Sequence, residues 1–169
     1  NILENHNIPY EIAFGTLLGS VRHGGFIPWD DDFDFFLFDD SYEAAIGFLR
    51  EELPKDVFLE DKESEPCYFH GWAHVKDLGS EAICELYPQD SCYTHHGLSV
   101  DLYRIREMKE KDFAEFRYNE ALAYVNRRKE LGFITDSDYE LRVLSYVNRR
   151  SVEFSESERV ILAYPFDNL

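Results

Sequence analysis

The sequence predicts an α/β (α+β) domain, a small mixed sheet with helices packed on it, on three observations. Stretches that alternate polar and apolar residues, DFDFFLF at Asp32–Phe38 and LSVDLYRI at Leu98–Ile105, carry the period of strands. Other stretches carry the helical period: Tyr42, Ala45, Ile46, Leu49 and Leu53 fall on one stripe before Pro54, and Ala114, Tyr118, Ala121, Leu122 and Val125 on another. With 169 residues, 44% of them hydrophobic and 16% aromatic, the chain has apolar material for one domain with a real core.

In order along the chain, residues 1–7 read as the end of a helix whose beginning is absent, so the chain reads as a piece of a longer protein and missing targeting signals mean little. Pro9–Phe14 is a short strand that feeds a glycine segment, and Leu17–His23 the first helix. The acidic strand ends at Asp39, and Asp40 with Glu43 reads as a capping box for the next helix. Val57–Glu60, His70–Val75, Ala82–Leu86 and Leu98–Ile105 are predicted strands. Asp112–Leu131 is a helix closed by Gly132, and Ser137 with Glu140 caps a last helix with Tyr139, Val143, Tyr146 and Val147 inward. Ser151–Leu169 offers no chemistry.

The chemistry is concentrated in GTLLGSVRHGGFIPWDDDFDFFLF, from Gly15 to Phe38. Asp30, Asp31, Asp32 and Asp34 put four mutually repelling acids within five positions, a cluster that calls for a cation. On a strand, Asp32 and Asp34 share one face while Phe33 and Phe35 share the other. Two carboxylates presented side by side can hold Mg²⁺ or Mn²⁺ and, through it, phosphates. Asp30 and Asp31 stay open between capping the strand, binding a second ion and orienting Trp29. Gly15, Thr16, Gly19 and Ser20 let backbone amides approach an anion near a helix start, and Arg22 adds a forked donor. Gly24, Gly25 and Pro28 turn the chain into the acidic strand. No register of DDDFDFFLFDD gives the glycine and closing glutamate of an EF-hand loop, so a calcium loop is rejected. Asp101, alone among apolar residues on the polar face of its strand, reads as a third acid that approaches Asp32 and Asp34, or else as an edge charge against aggregation.

Gly19-Ser20, eleven residues, then Asp32 and Asp34 among apolar residues resembles the signature of the nucleotidyltransferase superfamily typified by DNA polymerase β. The longer run GTLLGSVRHGGFIPWDDDFD resembles the LicD family of phosphotransferases, which includes fukutin and the fukutin-related protein; Ile8 to Leu37 carries the strong similarity, with Asp101 in weaker support. The resemblance implies a nucleotidyltransferase-type mixed sheet. It also implies transfer of a phospho-alcohol, phosphocholine or a polyol phosphate, from a CDP-activated donor to a hydroxyl of a cell-surface glycan, with release of CMP. In that role Asp32, Asp34 and Asp101 serve as catalytic and metal-site acids for Mg²⁺ or Mn²⁺, Asp101 as general base or third ligand. Gly19, Ser20 and Arg22 serve as phosphate-binding residues there, and the residues themselves add Gly15, Thr16 and Lys76 as candidates. Two other classes stay open: a nucleotidyltransferase that releases pyrophosphate, and a non-catalytic nucleotide-binding module. Relatives usually continue beyond this C-terminus, which leaves acceptor recognition open.

A formal net charge of −17 argues against nucleic acid as a partner, and no apolar run is long enough to span a bilayer. Cys67, Cys84 and Cys92 form no CxxC pair and are odd in number, so they read as buried thiols of a reducing compartment rather than as a disulfide scaffold or a zinc site with His95 or His96. A cytoplasmic location, at the inner face of the membrane, is the resulting expectation. Lys76 divides between a phosphate contact and an ordinary surface lysine. Tyr68, Phe69, Trp72, Tyr87 and Tyr93 divide between a cage for a quaternary ammonium and packing. Among His23, His70, His74, His95 and His96, His23 lies inside the motif. Arg127, Arg128, Arg149 and Arg150 read as solvated helix ends or as contacts to a phosphorylated acceptor.

Overall fold

Alternation sets the faces of the central strands. In β2 (Asp32–Phe38), Phe35 and Leu37 turn toward the core while Asp32, Asp34 and Phe36 occupy the opposite face. In β5 (Ser99–Lys109), Val100 and Leu102 face the core and Ser99, Asp101 and Tyr103 the other side. In β4 (Ala73–Asp77), Ala73 and Val75 pair with them, leaving His74 and Lys76 beside Asp101 and Ser99. The structure, a computed structural model, describes residues 1–82, 91–150 and 156–164, with the side chains of 144 and 146–150 outside that description.

The chain forms two compact units, Asn1–Arg104 and Ile105–Leu169. The first holds α1 (Ile2–Asn5), β1 (Tyr10–Ile12), α2 (Phe14–His23), β2, α3 (Asp39–Glu52), β3 (Val57–Glu60), β4 and the start of β5, an α+β arrangement whose strands run β1-β2-β5-β4-β3. β1 pairs antiparallel with β2, and β4 antiparallel with both β3 and β5. Leu3, Leu37, Ala45, Ile46, Leu49, Leu59, Ala73 and Leu102 form the core between α1, α3 and one sheet face. Burying each leucine there contributes about 1.5–3 kcal/mol. The other face carries the polar residues, so the sheet separates stability from chemistry.

α2 begins at Phe14 rather than Leu17, cutting the preceding strand to three residues. It closes on Gly24, whose φ of +68° suits glycine, and the Gly25 amide returns to the Gly19 carbonyl at 3.4 Å. The capping box expected from Asp40 and Glu43 does not form. α3 starts at Asp39, so its N-cap is Phe38, which has no side-chain acceptor, and Asp40 falls inside the helix; the Arg104 guanidinium pairs with the carboxylates of Asp39 and Glu43. The strand expected over His70–Val75 is shifted to Ala73–Asp77, and that over Leu98–Ile105 extends to Lys109. The strand expected over Ala82–Leu86 lies, from residue 83, outside the described residues.

In the second unit the end of β5 pairs antiparallel with β6 (Val160–Ala163), an element the sequence reading did not assign. α4 (Glu110–Glu130) buries Ala114, Ala121 and Val125, and Gly132 follows it at φ +76°. α5 (Asp136–Arg150) begins before the expected cap at Ser137: the Asp138 amide donates to Thr135 Oγ1 at 3.1 Å while the Thr135 hydroxyl donates to the Asp138 carboxylate at 2.7 Å. Lys129 joins the helices through Asp136 at 3.0 Å and the Tyr139 ring. The expected inward Tyr146 and Val147, and the pair Arg149 and Arg150, have side chains outside the description.

Candidate active site

Strand geometry brings Asp32 and Asp34 of β2 beside Asp101 of β5, as the neighbouring strands and their faces require. One carboxylate oxygen from each lies within 4.8 Å of the others, and Asp30, Asp31 and Asp32 meet the same limit. Asp34 and Asp101 are 5% and 7% exposed.

The three acids are held differently. The Gly15 amide donates to Asp34 Oδ2 at 3.1 Å, and the Asp34 amide donates to Thr16 Oγ1 at 2.7 Å. The first turn of α2 is thereby tied to the acidic strand, and these groups of Gly15 and Thr16 are engaged on Asp34. A Cβ on Gly15 would come within 2.8 Å of Asp30 Oδ2. Gly19 has a packing reason as well: a Cβ there would meet the Gly25 carbonyl at 2.6 Å, where helix and turn touch. Ser20 and Arg22 are exposed on α2, with no hydrogen bond or ion pair among the described residues.

Asp101 sits in a nest of donors. Ser99 Oγ donates to Oδ1 at 2.8 Å, and Trp72 Nε1 and the Tyr103 hydroxyl both donate to Oδ2 at 3.1 Å. Behind it lies a chain of buried polar groups. His74 Nε2 is 3.6 Å from Asp101 Oδ2, and His74 Nδ1 is 2.9 Å from Glu60 Oε2. Lys76 Nζ reaches the same Glu60 oxygen at 2.9 Å, donates to the His95 carbonyl at 3.0 Å and lies over the Tyr93 ring. Lys76 is thus buried in an ion pair and is not a surface lysine.

Asp32 receives no such help among the described residues. Burial, reinforced by repulsion from Asp34, Asp101, Asp30 and Asp31, pushes its carboxyl up from 3.8 to about 7. Asp34 is raised as well, by burial first and Asp101 second, against the lowering effect of the Gly15 amide and the Tyr103 hydroxyl. Crowded carboxylate oxygens with raised affinities for protons suit a hard divalent cation, which prefers oxygen ligands and relieves the repulsion. The residues present therefore fit Mg²⁺ or Mn²⁺.

Other candidates fall elsewhere. Tyr68, Phe69 and Tyr93 are 2–4% exposed and pack ring against ring, which is packing rather than an open cage; Tyr87 lies outside the described residues. His23 is exposed and edge-on to Trp29, His95 packs on Phe58, and His96 binds the Tyr93 carbonyl.

The expectation of reduced cysteines is overturned for one pair: Cys67 and Cys92 form a disulfide, with Cα atoms 6.4 Å apart. The cause is tertiary. The Thr94 amide donates to the buried Glu65 carboxylate at 3.0 Å, and Tyr68 and Phe69 pack on Tyr93, so the two segments are held side by side. That bond removes two thiols from any zinc site and, with them, the ground for inferring a reducing compartment. Cys84 lies outside the described residues. Among the described residues no helix is long and apolar enough to cross a membrane.

Glu60 and the hydroxyls that hold Asp101 were missed as site residues. The signal was there for Ser99 and Tyr103, which share the polar face of Asp101. For Glu60 the signal was weaker, an acid closing an apolar strand opposite one that carries His74 and Lys76.

Comparison with known proteins adds an independent line. The model of the LicD/FKTN/FKRP nucleotidyltransferase domain matches residues 7–160. The lipopolysaccharide cholinephosphotransferase LicD of Haemophilus influenzae is 37% identical over 62 residues, which cover 37% of this chain and 23% of that protein. An uncharacterized protein of Rickettsia typhi is 61% identical over 99% of this chain and 56% of its own length, and one of Rickettsia prowazekii 25% identical over 75% of this chain and 49% of its own. The chain thus spans between about a quarter and somewhat over half of these relatives.

Proposed function

Since the chain belongs to the LicD/FKTN/FKRP nucleotidyltransferase-domain family, we propose that the protein is a metal-dependent phosphotransferase. It moves a phospho-alcohol, phosphocholine or a similar polyol phosphate, from a CDP-activated donor to a glycan hydroxyl and releases CMP. The observation that carries this reading is the convergence of Asp32, Asp34 and Asp101, with the carboxyl of Asp32 raised to about 7.

Asp32, Asp34 and Asp101 would hold Mg²⁺ or Mn²⁺, which when bound neutralises a diphosphate and polarises its phosphoryl oxygens. Asp34, locked by Gly15 and Thr16, keeps the pair on β2 in register with the start of α2. Ser20 and Arg22 offer exposed donors to the phosphate oxygens, Arg22 in forked geometry. Asp101, oriented by Ser99, Trp72 and Tyr103, takes the proton of the attacking hydroxyl as the new O–P bond forms and the bond to CMP breaks. Fixed placement and charge neutralisation supply the rate, as phosphoryl transfer requires.

The test is to incubate the full-length protein with CDP-choline, CDP-ribitol or CDP-glycerol in Mg²⁺ or Mn²⁺ buffer and to quantify CMP. One donor should yield CMP, EDTA should abolish it, and Asp32→Asn should lower turnover by at least about 100-fold. Undiminished CMP formation by Asp32→Asn overturns the assignment, and pyrophosphate from CTP in place of CMP redirects it to nucleotidyl transfer.

A further inference from the structure

α2 turns its glycines toward the protein. Gly15 and Gly19 lie one turn apart on the helix, and a Cβ there would meet Asp30 Oδ2 at 2.8 Å or the Gly25 carbonyl at 2.6 Å. With its smallest residues inward, the helix carries its large ones outward. Phe14, Leu17, Leu18 and Val21 recur at the spacing of an apolar stripe, which on a helix of a globular protein ordinarily faces the core. Here the first three are 42–49% exposed and Val21 is 79% exposed. At the end of the helix Trp29 stands edge-on to His23 and is 77% exposed. Single exposed apolar side chains are ordinary, but a whole stripe turned outward marks an interaction surface.

Charge narrows what can cover it. Of 169 residues 34 are acidic, yet Ile12 to Trp29 contains none, and no other stretch of the chain runs as long without one. Arg22 is its only formal charge. Elsewhere the acids of a chain with net charge −17 meet any approaching surface first; along this stretch they do not. An apolar stripe, a tryptophan at the helix end and a basic residue without acids make up the composition of a helix that lies in a lipid interface. Side chains presented outward from a helix enter acyl chains without needing a matching groove.

We propose that the outer stripe of α2, with Trp29, seats the protein on a lipid bilayer surface of little net charge. The same net charge of −17 that leaves this face as the place of approach opposes binding to a strongly anionic membrane. A helix is about 10 Å across, so a stripe lodged at the acyl boundary sets the glycine side, and the acids it touches, at about the height of the headgroups. Under the transfer proposed above, which only this consequence rests on, the acid cluster then meets hydroxyls of an acceptor carried on lipid. The rival occupant of the stripe is a second copy of the chain.

The test is flotation of the full-length protein with phosphatidylcholine vesicles, without metal, donor or acceptor. Wild type should float with the vesicles, and its partition should change less than about twofold between about 0.05 and 0.5 M salt, because apolar insertion is not screened. Leu17→Gln and Val21→Gln, with wild-type circular dichroism, should each weaken partition about tenfold. Leu141→Gln, at a leucine of α5 that is 67% exposed, should bind as wild type. Wild-type binding by Val21→Gln, or an equal loss in Leu141→Gln, overturns the proposal. So does wild type that fails to float; light scattering that then finds a dimer which Val21→Gln dissociates gives the face to a second copy instead. Binding seen only with phosphatidylglycerol vesicles and lost in salt belongs to charges elsewhere and overturns it too. No step of transfer enters this assay: absent CMP formation leaves the proposal standing, and absent flotation leaves the transfer reading standing.

Discussion

Removing the divalent ion and raising the pH should destabilise the fold through Asp32. Its carboxyl holds its proton to about 7 in the folded protein, against 3.8 ordinarily. Between those values the folded state binds more protons than the unfolded one, so stability falls as pH rises, and the whole penalty is present above about pH 7. An unscreened shift of that size corresponds to about 4 kcal/mol. Asp32 is only half-buried, and solvent screening reduces this to about 1–2 kcal/mol. For a chain of this length that is about 2–8 °C in Tm. The assay is thermal unfolding at pH 5 and pH 8, each with EDTA and with 1 mM Mn²⁺. In EDTA the Tm should fall from pH 5 to pH 8; with Mn²⁺ the fall should vanish, because an ion that binds only the folded, ionised cluster adds RT ln(1 + [L]/Kd). Asp32→Asn should flatten the EDTA slope and lose most of the Mn²⁺ response, which ties both effects to this carboxyl. A slope unchanged in Asp32→Asn, or an equal Mn²⁺ gain at both pH values, would refute the reasoning.

The two remaining predictions concern the scaffold. Gly19→Ala should destabilise by about 1–2 kcal/mol net, because backbone atoms stand 2.6–3.0 Å from the new Cβ, whereas Gly47→Ala, in open space on α3, should gain up to about 1 kcal/mol; urea unfolding that gave both changes one sign would contradict the packing argument. Cys67→Ser should cost about 3 kcal/mol, since the disulfide closes a loop between cysteines 25 apart, and dithiothreitol should lower the wild-type Tm by the same amount while leaving the variant's unmoved.

The acids were legible because a strand reports its own faces. Asp32 and Asp34 are two residues apart among aromatics, and Ser99, Asp101 and Tyr103 alternate with Leu98, Val100 and Leu102, so period alone places each set on one side. What period cannot report is register between strands. That Glu60 stands opposite His74, and His74 opposite Asp101, depends on the β3–β4–β5 ladders, which pair residues that are distant in sequence. The disulfide was hidden for the same reason: it follows from the Glu65–Thr94 contact and the stacked rings of Phe69 and Tyr93, none of which cysteine spacing encodes. The glycines misled in another way. Gly15 and Gly19 looked like openings for a phosphate, yet the Gly15 amide is engaged on Asp34 and the Gly19 face is filled by the turn at Gly25. A small residue in sequence signals close approach without saying of what.

The site's asymmetry follows from which strand supplies each acid and what lies next to it. Asp101 receives hydrogen bonds from two hydroxyls of its own strand β5 and from the Trp72 indole just before β4, so both of its oxygens are oriented by fixed neighbours. Asp34 borrows an amide from α2. Asp32, at the first residue of β2, has the turn on one side and like charges around it, and no donor among the described residues. Two acids are thus preorganised by the fold and the third is left electrostatically frustrated. In such a cluster the charge on Asp32 is the one that a proton, or the cation proposed above, would relieve. The cation's contribution should therefore be concentrated on Asp32, and changes at Asp32 should alter ion dependence more than they alter the architecture around Asp34 and Asp101.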